Sequence, residues 1–223
     1  MTTTEPTLAE QVATLEAGLV AQAPAELLAP FAAEQAALHA AGLPEGIPTP
    51  GTPMPDGKVV DVQGEATTLK QARAGRPAVV VFYRGAWCPY CNLTLRTYER
   101  QLMPALAAEG VALIAVSPQT PDGSLTMLET NELSYAVLSD PGNQIAGQLG
   151  ILTAANAGAR ASQAALGIDV AKGNADGTDT VPMPTVVVVD AAGVIRWIDV
   201  HPNYGTRTEP AQILEAVSAL TGG

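Results

Sequence analysis

The chain has 223 residues, enough for one sizeable domain with additions or for two small ones, and its 47% hydrophobic and 15% charged content is globular rather than disordered. A formal net charge of −11 argues against nucleic acid and against an anionic membrane surface, because both repel an acidic protein. Aromatic residues make up only 4%, so Ala, Val, Leu and Ile must fill the core.

The first residues, Met1-Thr-Thr-Thr-Glu-Pro-Thr7, show neither a basic stretch nor an apolar run of the secretory type. No apolar stretch approaches the ~20 residues needed to span a bilayer. A cytoplasmic location is the expectation. Residues 7–41 then carry helical spacing in two stripes. Leu8, Val12, Leu15, Leu19 and Val20 form the first. Leu27, Leu28, Phe31, Ala32 and Leu38 form the second, weakened by the polar pair Glu34-Gln35, with Pro24 and Pro30 near the break. These read as amphipathic helices packed on the main domain or on a partner subunit, with a homodimer as one outcome. They lack the basic face that a membrane-surface role needs. The division expected is an N-terminal helical extension over residues 1–45 and a main domain over 46–223. Residues 42–54 are a Gly/Pro-rich lead-in.

The main domain alternates strands and helices. Short strands are predicted over 58–62 and 136–138, and fully buried ones over the apolar runs 78–83 and 111–117. Between them, Cys91, Leu95, Tyr98, Leu102 and Leu106 have helix spacing, closing at Gly110. Helices follow over 121–133 and 143–149. Residues 185–190 and 194–200 flank the turn Ala191-Ala192-Gly193 as a hairpin, and residues 209–220 close the chain as a helix. The succession argues α/β, with one mixed sheet and helices on both faces. Residues 151–181 read as an insertion holding one short helix and a mobile loop.

The two cysteines of the chain sit together in Cys88-Pro89-Tyr90-Cys91, directly after a buried strand and at the start of a helix. Unpaired N–H groups and the positive dipole end there favour thiolate, and cysteines so placed have pKa ~3.5–7.5. Cys88 is therefore the candidate nucleophile, reachable by solvent. Cys91, one turn further along, is placed to resolve an oxidised Cys88 into a disulfide. Arg84 could add positive charge near the sulfur, or pair with a surface carboxylate instead. Trp87 would shield one side, and Pro89 suits the first helical turn. Met183-Pro184 precedes the strand over 185–190. A cis bond there would turn the Met183 backbone outward as an edge for substrate, although spacing does not decide between cis and trans. His39 and His201 lack metal-ligand spacing, and no phosphate loop, carboxylate pair or Ser/His/Asp arrangement stands out, so no metal or cofactor is expected. Asp140 reads as a turn or helix-start residue. In residues 204–210, Thr208 reads as an N-cap and Glu209 as a complement to the helix dipole, though the segment could fold Arg207 back toward the sulfur.

Residues 51–210 resemble the alkyl hydroperoxide reductase / thiol-specific antioxidant family, the peroxiredoxins of the thioredoxin-like superfamily. The segments that carry the resemblance are 79–92 (Val-Val-Val-Phe-Tyr-Arg-Gly-Ala-Trp-Cys-Pro-Tyr-Cys-Asn), 113–119, 137–143 (Val-Leu-Ser-Asp-Pro-Gly-Asn) and 185–193. The resemblance implies a thioredoxin-like fold with a five-stranded mixed sheet and a peroxidatic cysteine at Cys88. Two family positions differ. The Pro and Thr that precede the nucleophile in similar peroxiredoxins are Val81 and Gly85 here. The family's Arg ahead of the strand-ending Asp is Pro184, as a thioredoxin would have.

Three functions stay open at this point. One is a thiol-dependent hydroperoxide reductase, in which Cys88 attacks the peroxide, Cys91 resolves, and a thioredoxin-type or low-molecular-weight thiol reduces the disulfide. Another is a thiol–disulfide oxidoreductase using the same pair on a disulfide substrate. The last is a redox-sensing adaptor whose disulfide state switches docking of the N-terminal helices.

Overall fold

The computed structural model describes residues 5–221. Two helices, α1 (Leu8–Gln22) and α2 (Ala25–Ala41), lead the chain. Thr7 and Glu10 form a reciprocal capping box at the start of α1. The break falls at Ala23-Pro24, and Pro30 is accommodated inside α2. Then come β1 (Lys58–Val60), β2 (Ala66–Thr68), α3 (Leu69–Arg73), β3 (Ala78–Phe82), α4 (Pro89–Gln101), α5 (Met103–Ala108) and β4 (Ala112–Ser117). They are followed by α6 (Pro121–Thr130), β5 (Ala136–Ser139), a 3₁₀ turn over Pro141–Asn143 and α7 (Gln144–Gln148). The remainder is β6 (Leu152–Ala154), α8 (Ala157–Ala165), α9 (Val170–Gly173), β7 (Thr180–Pro182), β8 (Thr185–Val189), β9 (Ile195–Val200) and α10 (Pro210–Thr221).

The main sheet runs β2-β1-β5-β4-β3-β8-β9. Its five-stranded portion is mixed as expected: β3 pairs parallel with β4 and antiparallel with β8. The hairpin β1–β2 extends it at the β5 edge; β2 and α3 have no counterpart in the sequence reading. Every residue of β3 is buried, and alternate side chains go to opposite faces. Val79 and Val81 join Leu95, Tyr98, Leu106, Ile213 and both cysteines under α4 and α10. Ala78, Val80 and Phe82 join Ile145, Leu149, Ile151 and Met183 on the other face. The single helix expected through Leu106 is interrupted at Leu102–Met103, where Pro104 lies in the first turn of α5. Its apolar stripe is still buried throughout.

Residues 151–181 depart most from expectation. They form a two-stranded ribbon, β6–β7, and two helices. The Asn and Asp residues of this stretch are caps and braces. Asn156 accepts from Ala159 N–H, Asp169 accepts from Lys172 N–H, and Asn174 Nδ2 donates to the carbonyls of Thr178 and Thr180. Asp140 takes the helix-start role expected of it, accepting from the N–H groups of Gln144, Ile145 and Ala146.

The N-terminal helices pack on the chain's own main domain. Leu8 is fully buried and Val12 nearly so, while Val20 is 70% exposed. The polar pair that weakens the second stripe is what docks α2. Glu34, buried, accepts from Tyr204 Oη at 2.9 Å and from Asn156 N–H at 2.6 Å; Gln35 donates to Tyr90 Oη. Tyr90 Oη in turn donates to Glu16 of α1 at 3.1 Å. No helix among the described residues is long and apolar enough to cross a membrane.

Candidate active site

Strand β3 ends at Phe82, and the five residues that follow deliver Cys88 to the N-cap of α4 with extended backbone (φ −89°, ψ 112°) and Pro89 in the first turn. The loop is pinned from several sides. Gln119 Oε1 accepts from Ala86 N–H at 2.7 Å, and Asn92 Nδ2 donates to the carbonyls of Ala86 and Cys88. Asn131 holds Asn92 in turn. Gly85 leaves no room for a side chain. A Cβ there would sit 2.5 Å from Trp87 Nε1 and 3.0 Å from Gln119 Cδ, at a φ of +152°. A threonine here would require the side chains of Trp87 and Gln119 to shift.

Arg84 is buried (5% exposed) and forms no ion pair with a carboxylate among the described residues. Its guanidinium lies against two aromatic rings, 4.0 Å from the Tyr204 centroid and 5.0 Å from that of Trp87. Nε finds no hydrogen-bond partner. The surface ion pair weighed for this residue does not form, and its positive charge acts on the two sulfurs.

A second cation comes from far along the chain. Arg207 Nη2 lies 3.7 Å from Cys91 Sγ, with its guanidinium over the Tyr90 ring and its Nη1 donating to the Tyr204 carbonyl. The segment that carries it is clamped. Tyr98 Oη donates to the Thr208 carbonyl, and the Thr208 hydroxyl donates to Asp199, which also holds His201. Thr208 thus spends its hydroxyl on Asp199. Glu209 accepts from the N–H groups of Leu8 and Ala9 at 2.9 and 2.8 Å, so its charge serves the start of α1.

Both cysteines are reduced and only 1% exposed, which corrects the expectation that solvent reaches Cys88. Burial pushes the Cys88 thiol up, and its hydrogen bond to a charged Cys91 pushes it further. Burial pushes Cys91 up as well. The hydrogen bond from Cys88, the Arg207 guanidinium, the Arg84 backbone N–H and the Arg84 guanidinium more than offset this, and Cys91 comes down to about 5. The pair therefore holds one proton between two sulfurs, with the charge resting on Cys91 instead of Cys88. Helix position alone pointed to Cys88; both guanidiniums lower both thiols, and the hydrogen bond donated by Cys88, with the Arg84 backbone N–H, tips the order toward Cys91.

The sulfurs face different spaces. Cys88 lines a chamber of about 580 Å³ between the N-terminal helices and the main domain, together with Arg84, Trp87, Tyr90 and Tyr204. Cys91 lines a separate small cavity of about 10 Å³, shared with Pro184, His201, Arg207 and Thr208, with room for about one water.

Of the residues expected at the site, Cys88, Cys91, Arg84 and Trp87 come together, and Pro184 lies beside Cys91. Met183 does not join them. It packs in the opposite core layer, its N–H donates to the Ile151 carbonyl at 2.7 Å, and its carbonyl accepts from the Thr185 hydroxyl. The ribbon β6–β7 uses the edge that a substrate would have met, and all described peptide bonds are trans. Tyr90 and Tyr204 carry no sequence signal of their own, and the chamber-facing Leu19, Val20, Leu28, Phe31 and Ala32 were legible only as apolar helix stripes. Arg207, which the sequence allowed to fold back toward the sulfur, does so, and the sulfur it meets is that of Cys91.

The profile of the AhpC/TSA family matches residues 50–198. A Haemophilus influenzae protein bearing the name peroxiredoxin bcp is 29% identical over 101 residues, which is 45% of this chain and 64% of that protein. The chain thus spans less than two thirds of that relative's length. Among solved structures, the peroxidoxin BcpB of Mycobacterium tuberculosis superposes with a TM-score of 0.58 at 18% identity, covering 78% of this chain and 96% of that one. The thiol peroxidase of Chromobacterium violaceum gives 0.59 at 16% identity, covering 78% and 88%. At these identities the structures establish the thioredoxin-like fold.

Proposed function

From the premise that this chain belongs to the AhpC/TSA family, we propose that it is a thiol-dependent hydroperoxide reductase with Cys88 as nucleophile and Cys91 as resolving residue. The observation that carries the assignment of roles is the division of spaces: Cys88 borders the chamber that opens on the site, and Cys91 does not.

The shared proton makes the steps consistent. Transfer of the Cys88 proton to Cys91 along their hydrogen bond places thiolate on the chamber side. The Cys88 sulfur lone pair then attacks the terminal peroxide oxygen; an S–O bond forms, the O–O bond breaks, and the electron pair leaves on the alkoxide. That alkoxide takes the proton held by Cys91 and departs as the alcohol. Cys91, now thiolate again, attacks the Cys88 sulfenic acid, forming the disulfide and releasing hydroxide, which is protonated to water. Arg84, buried beside both sulfurs without a carboxylate, stabilises the negative charge as it moves from sulfur to oxygen. An external thiol, of the thioredoxin type or of low molecular weight, returns the pair to the reduced state. Trp87 and Pro184 wall the site on the Cys88 and Cys91 sides.

The test is stopped-flow oxidation of the reduced full chain by hydrogen peroxide and by cumene hydroperoxide. Fast consumption of either, abolished by Cys88→Ser, is expected. Rates no greater than those of a free thiol of equal pKa would sink the proposal. A second reading, thiol–disulfide exchange, draws on Gly85 and Pro184, which stand where the family has threonine and arginine. Catalysed reduction of insulin disulfides without peroxide consumption would favour it.

A further inference from the structure

The family profile begins at residue 50, yet much of the chamber over Cys88 is built from residues 16–35. Leu19 and Val20 of α1, Leu28 and Phe31 of α2, and Leu166 and Ile168 beyond α8 give it an apolar interior. Beside the sulfur lies Arg84, nineteen-twentieths buried, with no hydrogen-bond partner for Nε. A cavity of about 580 Å³ suits a ligand of the size that fills pockets of roughly 300–1,000 Å³. Hydrogen peroxide, with two oxygens against the ~30 Å³ that one water occupies in the liquid, would leave most of it unfilled.

We infer that the N-terminal helix pair is the specificity element of this site and that it selects a hydroperoxide with a bulky apolar body over hydrogen peroxide. The inference rests on the peroxidase reading above and adds to it which part of the chain chooses the substrate. The apolar body lies against Leu28, Phe31 and Leu166, which directs the –OOH end toward Cys88 and Arg84. Cys88 takes the terminal oxygen, and the alcohol that leaves keeps the apolar body and departs through the mouth beside Val20. The helices are held over the site by Tyr90 and Tyr204, whose hydroxyls engage Glu16, Gln35 and Glu34. The same two tyrosines line the chamber, so the docking contacts also set its shape.

The test compares second-order rate constants of the reduced full chain for cumene hydroperoxide and hydrogen peroxide. A preference for cumene hydroperoxide of roughly tenfold or more is expected, the scale on which apolar pockets discriminate. Leu28→Trp, which intrudes into the chamber, and Val20→Trp, at a rim position 70% exposed and tolerant of substitution, should both lower the ratio of the two constants. As a readout independent of turnover, cumyl alcohol should protect Cys88 of the unmodified chain from iodoacetamide in a saturable way. If both peroxides are consumed rapidly with a ratio near one, or with a ratio that neither variant changes, the specificity role is overturned and the peroxidase reading stands. Absence of protection by cumyl alcohol likewise overturns it. If neither peroxide is consumed faster than by a free thiol, the peroxidase reading itself falls, and the inference with it.

Discussion

Replacing Arg207 by Met removes one of the two guanidiniums near the sulfurs while keeping a side chain of similar length. At 3.7 Å from Cys91 Sγ, and with an effective dielectric constant of ~20, its attraction for a thiolate is about 4.5 kcal/mol. At 1.36 kcal/mol per pH unit, the ceiling on the change is about 3 units. Arg84 and its backbone N–H stay in place, and water entering the vacated space returns part of the loss. The midpoint of the first thiol ionisation should therefore rise by roughly 1–2 units from about 5. The assay is ultraviolet thiolate absorbance against pH, with the rate of iodoacetamide alkylation as a second measure. The effect on peroxide consumption should grow as pH falls. Near pH 6 a pair ionising at about 5 is ~90% charged, and one ionising at about 6.5 is ~25% charged, so the variant should be about fourfold slower there and closer to normal at pH 8. A midpoint that does not move would refute the electrostatic account, because Arg207 exerts the larger charge effect of the two guanidiniums on Cys91.

Gly85→Thr restores the family residue but drives a Cβ to 2.5 Å from Trp87 Nε1, so it should destabilise the protein by about 1–3 kcal/mol in urea unfolding. A neutral substitution would mean that Trp87 is free to move. Glu209→Ala removes the acceptor of the Leu8 and Ala9 N–H groups and should cost about 1 kcal/mol, read as faster amide exchange confined to α1. Exchange that rises equally throughout the chain would contradict this local role. The pH dependence of stability has a definite sign. Cys91 releases its proton at about 5 when folded and near ~8.5 when unfolded, so the unfolded chain binds more protons across that window. The reduced protein should thus gain stability as pH rises from about 5 to about 8.5, and urea midpoints of the disulfide form should lack that slope.

The regular parts of this fold were legible because apolar runs such as residues 78–82 and 185–189 have one use, the middle of a covered sheet, and both are buried throughout. The C-x-x-C at a helix start was legible for the same local reason: strand, turn and helix are contiguous in the chain. Misread segments were those whose polar residues have distant partners. Glu34 looks like a flaw in an apolar stripe until Tyr204 and the Asn156 N–H are seen against it, 170 and 122 residues away. The Asn and Asp residues over 151–181 look like loop residues, since caps and loops share a composition. The ionisation order of the cysteines was hidden in the same way. Cys88 has the helix terminus, which the sequence displays, whereas Cys91 has Arg207, 116 residues on, whose return toward a sulfur the sequence allowed without saying which one.

Arg207 and Glu209 stand only two positions apart on a strap fastened by Tyr98 and Asp199. Two Cα–Cα steps reach at most about 7.6 Å, so the cation that faces one sulfur and the carboxylate that clasps the first helix cannot be repositioned separately. Whatever re-aims the clasp also re-aims the cation. The far end of the chain thus ties the roof of the chamber and the charge beneath it to a single short length of backbone.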